Sequence, residues 1–326
     1  MALELTQACN YRCVMCDYWR IPDPKFMPRS LAVDFLSFFP MGQLESVLFT
    51  GGEPLLHPEW REIVDAVPPG VTKLLCTNGS PILKKNGDVA HRFDKLTVSV
   101  DGATEETFKR IRGYAHLMAI FKSLERMKAA SSDLTIHLKM TIQRENIDEV
   151  GKLFELAAQC DFIDGIGYGI PDMSVAAFGF SPSTFDEREY LERVLPSELQ
   201  ILAFERDIAE MKERHSDLIN ANFLYEGDLD RFLQRFKVLR GMTNAMPVSR
   251  QCRIPQYSMV LKVDGSLSGC YYLPDIGSWD DLKQIGSSLH ATAVSDHSSL
   301  SNPVCQHCDQ LLNRQRIARE AIEGGP

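Results

Sequence analysis

The chain has 326 residues, 44% hydrophobic and 24% charged, a balance that suits a globular protein of one large or two modest domains. A net charge of −9 and a pI near 5.4 argue against nucleic acid or an anionic membrane surface as a partner. No apolar run of about 18 residues and no signal-peptide pattern occurs, so the cytoplasm is the expected location. Nine cysteines in that compartment point to metal or redox chemistry rather than a disulfide framework.

The first strand is read from the apolar run Ala2-Leu3-Glu4-Leu5. It leads directly into Cys9-Asn10-Tyr11-Arg12-Cys13-Val14-Met15-Cys16. A tetrahedral zinc site wants four closed ligands, so three thiols at C-x3-C-x2-C spacing suit iron better. A four-iron cluster takes one ligand per iron, and three cysteines leave one iron open to a substrate or cofactor. The alternative is a zinc or structural site whose fourth ligand lies elsewhere.

Beyond this loop, strand and helix patterns alternate. Strands end at Glu4–Thr6, Ser46–Thr50, Lys73–Thr77, Leu96–Val100, Thr135–Thr141 and Gly165–Ile170, and repeated βα units imply a parallel sheet. Six units fall short of a closed eight-stranded barrel, so an α/β fold with an open, partial (βα)6 TIM-like barrel is expected. Ser30 is read as the cap of a helix near Leu31, and Trp60, Ile63, Val64 and Val67 as the apolar face of the next. Thr104 opens a helix with acids in its first turn, and Asn146-Ile147-Asp148-Glu149 looks like a capping box.

Several strand ends carry groups suited to a ligand. Gly51-Gly52-Glu53-Pro54 follows the second strand, where glycines allow close backbone approach and a carboxylate can accept from an ammonium group. Thr77-Asn78-Gly79 and Ser99-Val100-Asp101-Gly102 end the third and fourth strands, at the edge where α/β sheets bind ligands, although both are also plain turn sequences. Gly165-Ile166-Gly167-Tyr168-Gly169 is either a ligand-facing or a packed strand. Arg110, Arg112 and Arg144 lie near this mouth and could hold a carboxylate, but surface arginines are the commoner case and they receive no role. Cys76 and Cys160 read as small buried hydrophobes.

From Gly179 to about Gly241 the pattern is mainly helical, including a long charged stretch over Glu187–His215. A β-hairpin with an Asp264-Gly265 turn follows, flanked by Cys252 and Cys270, and Cys305-x2-Cys308 closes the set. Four such thiols suit a zinc site and a fully ligated iron–sulfur cluster equally.

The Cys9–Cys16 octet followed by Gly51-Gly52-Glu53 resembles the motifs of the radical S-adenosylmethionine (SAM) superfamily. The resemblance implies a [4Fe–4S] cluster on Cys9, Cys13 and Cys16, with SAM chelating the fourth iron. It also implies reductive cleavage of SAM to a 5′-deoxyadenosyl radical that takes hydrogen from a substrate. Gly51, Gly52 and Glu53 would bind the methionine amine, and Met15, usually aromatic in the family, would meet adenine through its backbone. Ser99 and Asp101, with Asn78, would contact ribose or methionine, and Gly165–Gly169 would lie beneath adenine.

After such a core, Cys252, Cys270, Cys305 and Cys308 resemble the Twitch domain, a shortened SPASM domain, which implies a second [4Fe–4S] cluster. No cysteine follows Cys308 for a third. The implied domains are the core over 1–180, a helical connector over 181–245 and a Twitch domain over 246–326. Size and cysteine layout resemble the dehydrogenases and epimerases of aminoglycoside and aminocyclitol biosynthesis. Oxidation of a carbinol carbon in a small sugar- or cyclitol-like substrate is therefore expected, with epimerisation or peptide modification as alternatives. A leader-binding extension ahead of the first motif is not expected, which favours a small-molecule substrate. A flavodoxin or ferredoxin is the expected electron donor.

Overall fold

The computed structural model describes residues 1–40, 42–80, 85–114, 116–171, 178, 186–215, 228–243 and 258–285. The loop 179–185 and Cys252, Cys305 and Cys308 lie outside these residues.

All six expected strands form: β1 (Ala2–Thr6), β2 (Ser46–Gly51), β3 (Thr72–Thr77), β4 (Lys95–Ser99), β5 (Thr135–Thr141) and β6 (Gly165–Gly169). They pair in parallel in chain order, each beside its predecessor. Helices α1 (Arg29–Phe38), α2 (Trp60–Asp65), α3 (Val89–Arg92), α4 (Glu105–Arg112), α5 (Leu117–Ala130) and α6 (Val150–Ala158) occupy the crossovers. Strand side chains alternate faces. Phe49, Leu75, Val98, Leu138 and Met140 are sealed in the core with Ile63, Phe108 and Leu124 from the helices. The alternate positions Cys76, Thr97, Ser99 and Lys139 stay partly accessible on the opposite face. This is the α/β partial barrel that the sequence predicts.

The caps differ from expectation in two places. Helix α1 starts at Arg29 after Pro28, so Ser30 lies inside the first turn and makes no cap. Proline before the first turn supplies the stop that Ser30 was expected to give. Asn146 makes no capping bond either. Its amide nitrogen donates to the Asp101 and Thr141 carbonyls, each at 3.0 Å. Glu149 accepts from Ala103 N at 2.7 Å and from the Thr104 and Thr107 hydroxyls at 2.9 and 2.7 Å. Both side chains therefore brace the loop after β4 and not their own helix. Thr104 does cap α4, accepting from Thr107 N at 3.3 Å.

The charged stretch 187–215 breaks at Leu195-Pro196. Helix α7 (Glu198–Arg214) then starts with a full capping box between Ser197 and Gln200, and packs against α8 (Asp228–Leu239). The expected hairpin forms as β7 (Val260–Leu261) and β8 (Ser266–Ser268), and β9 (Gly277–Ser278) adds a third strand before α9 (Trp279–Ile285). Asp264 accepts from Ser266 N at 3.0 Å across the turn. β7 pairs in parallel with β1, so these strands extend the core sheet. Trp279 packs on Phe35 and Phe38 of α1, each at 5.3 Å between ring centroids. Among the described residues no helix is long and apolar enough to cross a membrane.

One titratable group ties the sheet to pH. The His137 ring on β5 lies 3.1 Å from where a Cβ on Gly165 would stand. Burial, with Lys95 nearby, lowers its pKa from 6.5 to about 4, and Asp164 opposes this only in part. A depressed base keeps the fold favoured above the unfolded value, and that stability is lost as pH falls through the folded value. We expect the folding free energy read from urea titrations to drop between pH 6.5 and 4, by at most about 3 kcal/mol. His137→Gln should flatten the slope in that window; an unaltered slope would remove His137 as its source.

Candidate active site

The site begins where β1 ends. Gly52 N donates to Thr6 O at 2.7 Å and Glu53 N to Ala8 O at 2.8 Å, so the turn after β2 lies flat on the chain entering the thiol loop. A Cβ on Gly52 would stand 2.3 Å from Ala8 O, and one on Gly51, at φ +127°, 2.3 Å from Thr6 O. The two glycines thus admit the chain's own backbone. On the other side, Arg12 N donates to Arg112 O at 3.2 Å and Val14 N to Ile111 O at 2.9 Å. The thiol loop is clamped between the β2 turn and the last turn of α4.

Each thiol meets a different partner. Cys13 is buried, and Arg112 Nη1 donates to its sulfur at 3.4 Å. Cys9 lies 3.9 Å from the Asn78 amide nitrogen, and Cys16 donates to Phe178 O at 3.4 Å. Burial pushes Cys9 up to about 11 and Cys16 up to about 12, and raises Cys13 as well. Burial outweighs the Arg112 guanidinium and favours the thiol forms, so metal binding releases protons. Among the described residues no three Cys, His, Asp or Glu groups are placed to hold a single metal ion. A four-iron cluster, in which each thiolate holds a separate iron, suits this donor set.

Glu53 is fully buried. Its Oε1 accepts from Leu55 N at 3.3 Å and Thr77 Oγ1 at 2.9 Å, and its Oε2 from Asn78 N at 2.8 Å. A carboxylate offers about four acceptor positions, so one remains for an ammonium N–H. Burial outweighs these donors and pushes the group up to about 7. Asn78 is fixed by its own amide, which donates to Asn10 Oδ1 at 2.8 Å and accepts from Ser80 N at 2.8 Å.

Asp101 is also fully buried. Its Oδ1 accepts from Thr141 N at 2.6 Å, and its Oδ2 stands 2.5 Å from Arg112 Nε in a close ion pair rather than an aligned hydrogen bond. Ser99 and Lys139 lie in the surroundings of Cys76. Met15 receives the Gln143 amide on its sulfur at 3.9 Å. The sequence places Arg112 and Thr77 near the site but gives them no role, and Gln143 has no pattern to single it out. Arg110 pairs with Glu145 at 2.5 Å, and Arg144 donates to Leu195 O at 3.0 Å, so both serve the fold.

An open parallel barrel with a three-thiol loop at the exit of its first strand defines a class of cluster-bearing βα proteins. Residues 3–157 match the model of the Radical SAM superfamily. GTP 3′,8-cyclase of Pseudomonas fluorescens (strain Pf0-1) is 27% identical over 210 residues, which cover 59% of this chain and 61% of the cyclase. Mycofactocin maturase MftC of Mycobacterium ulcerans (strain Agy99) is 33% identical over 166 residues, covering 48% of this chain and 43% of the maturase. This chain therefore spans less than two thirds of either relative. Streptococcus suis SuiB bound to S-adenosylmethionine shares the fold, with a TM-score of 0.60 at 14% identity over 94% of this chain and 71% of SuiB.

Proposed function

We propose that the chain is a radical SAM enzyme in which Cys9, Cys13 and Cys16 hold a [4Fe–4S] cluster. The observation that carries this is the thiol loop clamped between the Gly51-Gly52-Glu53 turn and α4. A SAM-loaded cluster supplies a hydrogen-abstracting radical. Glu53 orients the methionine amine through its remaining acceptor position. The Met15 backbone and the Gly165–Gly169 strand face adenine, and Asn78 and Ser99 line the ribose and methionine. Asp101 serves through Arg112, since both its oxygens are engaged within the protein.

The reaction is oxidation of a carbinol carbon in a small polar substrate, of sugar or cyclitol type. The partly accessible face of the sheet carries Thr97, Ser99 and Lys139, which suits hydroxyl-rich ligands. Loss of a hydrogen atom, then of one electron and the hydroxyl proton, converts the carbinol to a ketone. Cys252, Cys270, Cys305 and Cys308 would hold a second [4Fe–4S] cluster, which supplies an acceptor for that electron. The Phe178 backbone carbonyl accepts from Cys16, and its ring stacks on Tyr271, the neighbour of Cys270 in sequence, with centroids 6.5 Å apart. The domains are then a core over 1–180, a connector over 181–245 and a Twitch unit over 246–326, with a flavodoxin or ferredoxin as electron donor.

A second reading, epimerisation, gains from one finding. Cys76, beside Ser99 and Lys139, lies on the accessible face of β3, where a thiol can return a hydrogen atom. Turnover of candidate carbinols in deuterated water separates the two. We expect a ketone and one 5′-deoxyadenosine per product. A redox-neutral product with deuterium at the attacked carbon, lost on Cys76→Ala, would replace oxidation by epimerisation.

A further inference from the structure

We propose that Arg112, oriented by Asp101, is a positioning residue that sets the reduction potential of the cluster through the sulfur of Cys13. The inference rests on the reading that Cys9, Cys13 and Cys16 hold that cluster.

Arg112 meets the thiol loop at two points. Its carbonyl accepts from Arg12 N at 3.2 Å, and its guanidinium reaches the Cys13 sulfur at 3.4 Å. The side chain is 9% exposed and its partner Asp101 is 0% exposed, so the charges act across a poorly screened interior. Asp101 is held in turn by Thr141 N at 2.6 Å, and Asn146 anchors its carbonyl at 3.0 Å. The guanidinium is thereby fixed by strands and loops other than its own helix.

The three sulfurs are treated unequally. Among the described residues, only Cys13 receives a cationic donor. Cys9 faces a neutral amide, and Cys16 faces a carbonyl. The loop also abuts the C-terminal end of α4, whose Ile111 and Arg112 carbonyls present partial negative charge. A thiolate placed there is disfavoured unless a cation compensates, and Arg112 is that cation. Hydrogen bonds and charge at cluster sulfurs tune iron–sulfur potentials, and a donated N–H makes the reduced state easier to reach. Burial of a charged pair is weak evidence for stability as its purpose. A fixed charge beside one cluster ligand is what this pair produces.

The test is potentiometric titration of the reconstituted full chain without SAM, followed by electron paramagnetic resonance on the cluster whose signal later responds to SAM. In Arg112→Gln we expect the reduced-to-oxidised ratio at a fixed potential to fall about tenfold, or about 59 mV for one electron. Arg112→Lys should fall between this and the parent. Asp101→Asn removes a negative charge but keeps an acceptor for Thr141 N, and should shift the ratio the opposite way. A merely structural clamp has no reason to give opposite signs. Unchanged potentials in Arg112→Gln and Asp101→Asn, or shifts of one sign in both, would overturn the proposal. Should Arg112→Gln bind no iron, the comparison of Arg112→Lys with Asp101→Asn decides by the same signs. Failure of the underlying reading shows separately, as unchanged iron and sulfide in a variant lacking Cys9, Cys13 and Cys16.

Discussion

Replacing Cys9, Cys13 and Cys16 together with alanine will reduce SAM cleavage to the background without enzyme and remove about half of the bound iron. The loss should be complete because, on the proposed reading, each thiolate holds one iron, and no other described cysteine stands in the loop. On the same reading, the remaining iron, about four atoms per chain, would belong to a second cluster on Cys252, Cys270, Cys305 and Cys308. The fold should persist, since the loop is pinned through backbone bonds at Ala8, Arg12 and Val14 and not through its thiols. Iron and sulfide analysis, with chromatographic assay of 5′-deoxyadenosine under dithionite, checks both halves. Retained cleavage in the triple variant would end the assignment, and zinc in place of iron in the parent would end the radical chemistry altogether.

Glu53→Ala will carry the second large effect, and on two quantities. Seen as a turn residue, Glu53 is one whose removal weakens SAM binding by roughly 1.5–3 kcal/mol while the fold survives. The structure adds a cost to stability. Leu55 N, Thr77 Oγ1 and Asn78 N all donate to this buried carboxylate, and alanine leaves them without it. Buried donors stripped of their acceptor lose about 1–3 kcal/mol each, not additively, so about 3 kcal/mol of folding stability is a fair expectation. Glu53→Gln keeps an acceptor oxygen and should lose less stability, yet still weaken SAM binding by removing the charge.

The pH dependence of Glu53 has a definite sign. A carboxyl raised to about 7 contributes stability that is full below its unfolded value of 4.5 and lost as pH rises through 7. Glu53→Gln should remove that decline from the apo-protein. Denaturation midpoints equal to the parent in Glu53→Ala would contradict the buried acceptor. Parental SAM affinity in Glu53→Gln, measured on the reconstituted protein, would contradict the contact with the amine.

Much of this protein is legible locally. The six strands, the hairpin at Asp264-Gly265, the cap at Thr104 and the spacing of Cys9, Cys13 and Cys16 depend on side-chain period, turn chemistry and ligand count. Each of these acts over a few residues, so the sequence by itself determines them. The roles of Arg112, Asp101, Asn146 and Glu53 were decided only in the folded chain. Arg112 meets Cys13 across 99 residues, and Asp101 meets Thr141 across 40. Asn146 and Glu149 carry the letters of a capping box, yet the loop after β4 offered donors and acceptors that burial left needing partners, and these outcompeted the local cap. Gly51 and Gly52 show the same division. Their freedom is visible in sequence, but only the packing of β2 against β1 reveals that it admits the Thr6–Ala8 backbone. Polar groups in a sealed interior must find partners wherever the topology brings them, and one-dimensional patterns carry no record of which strands will be neighbours.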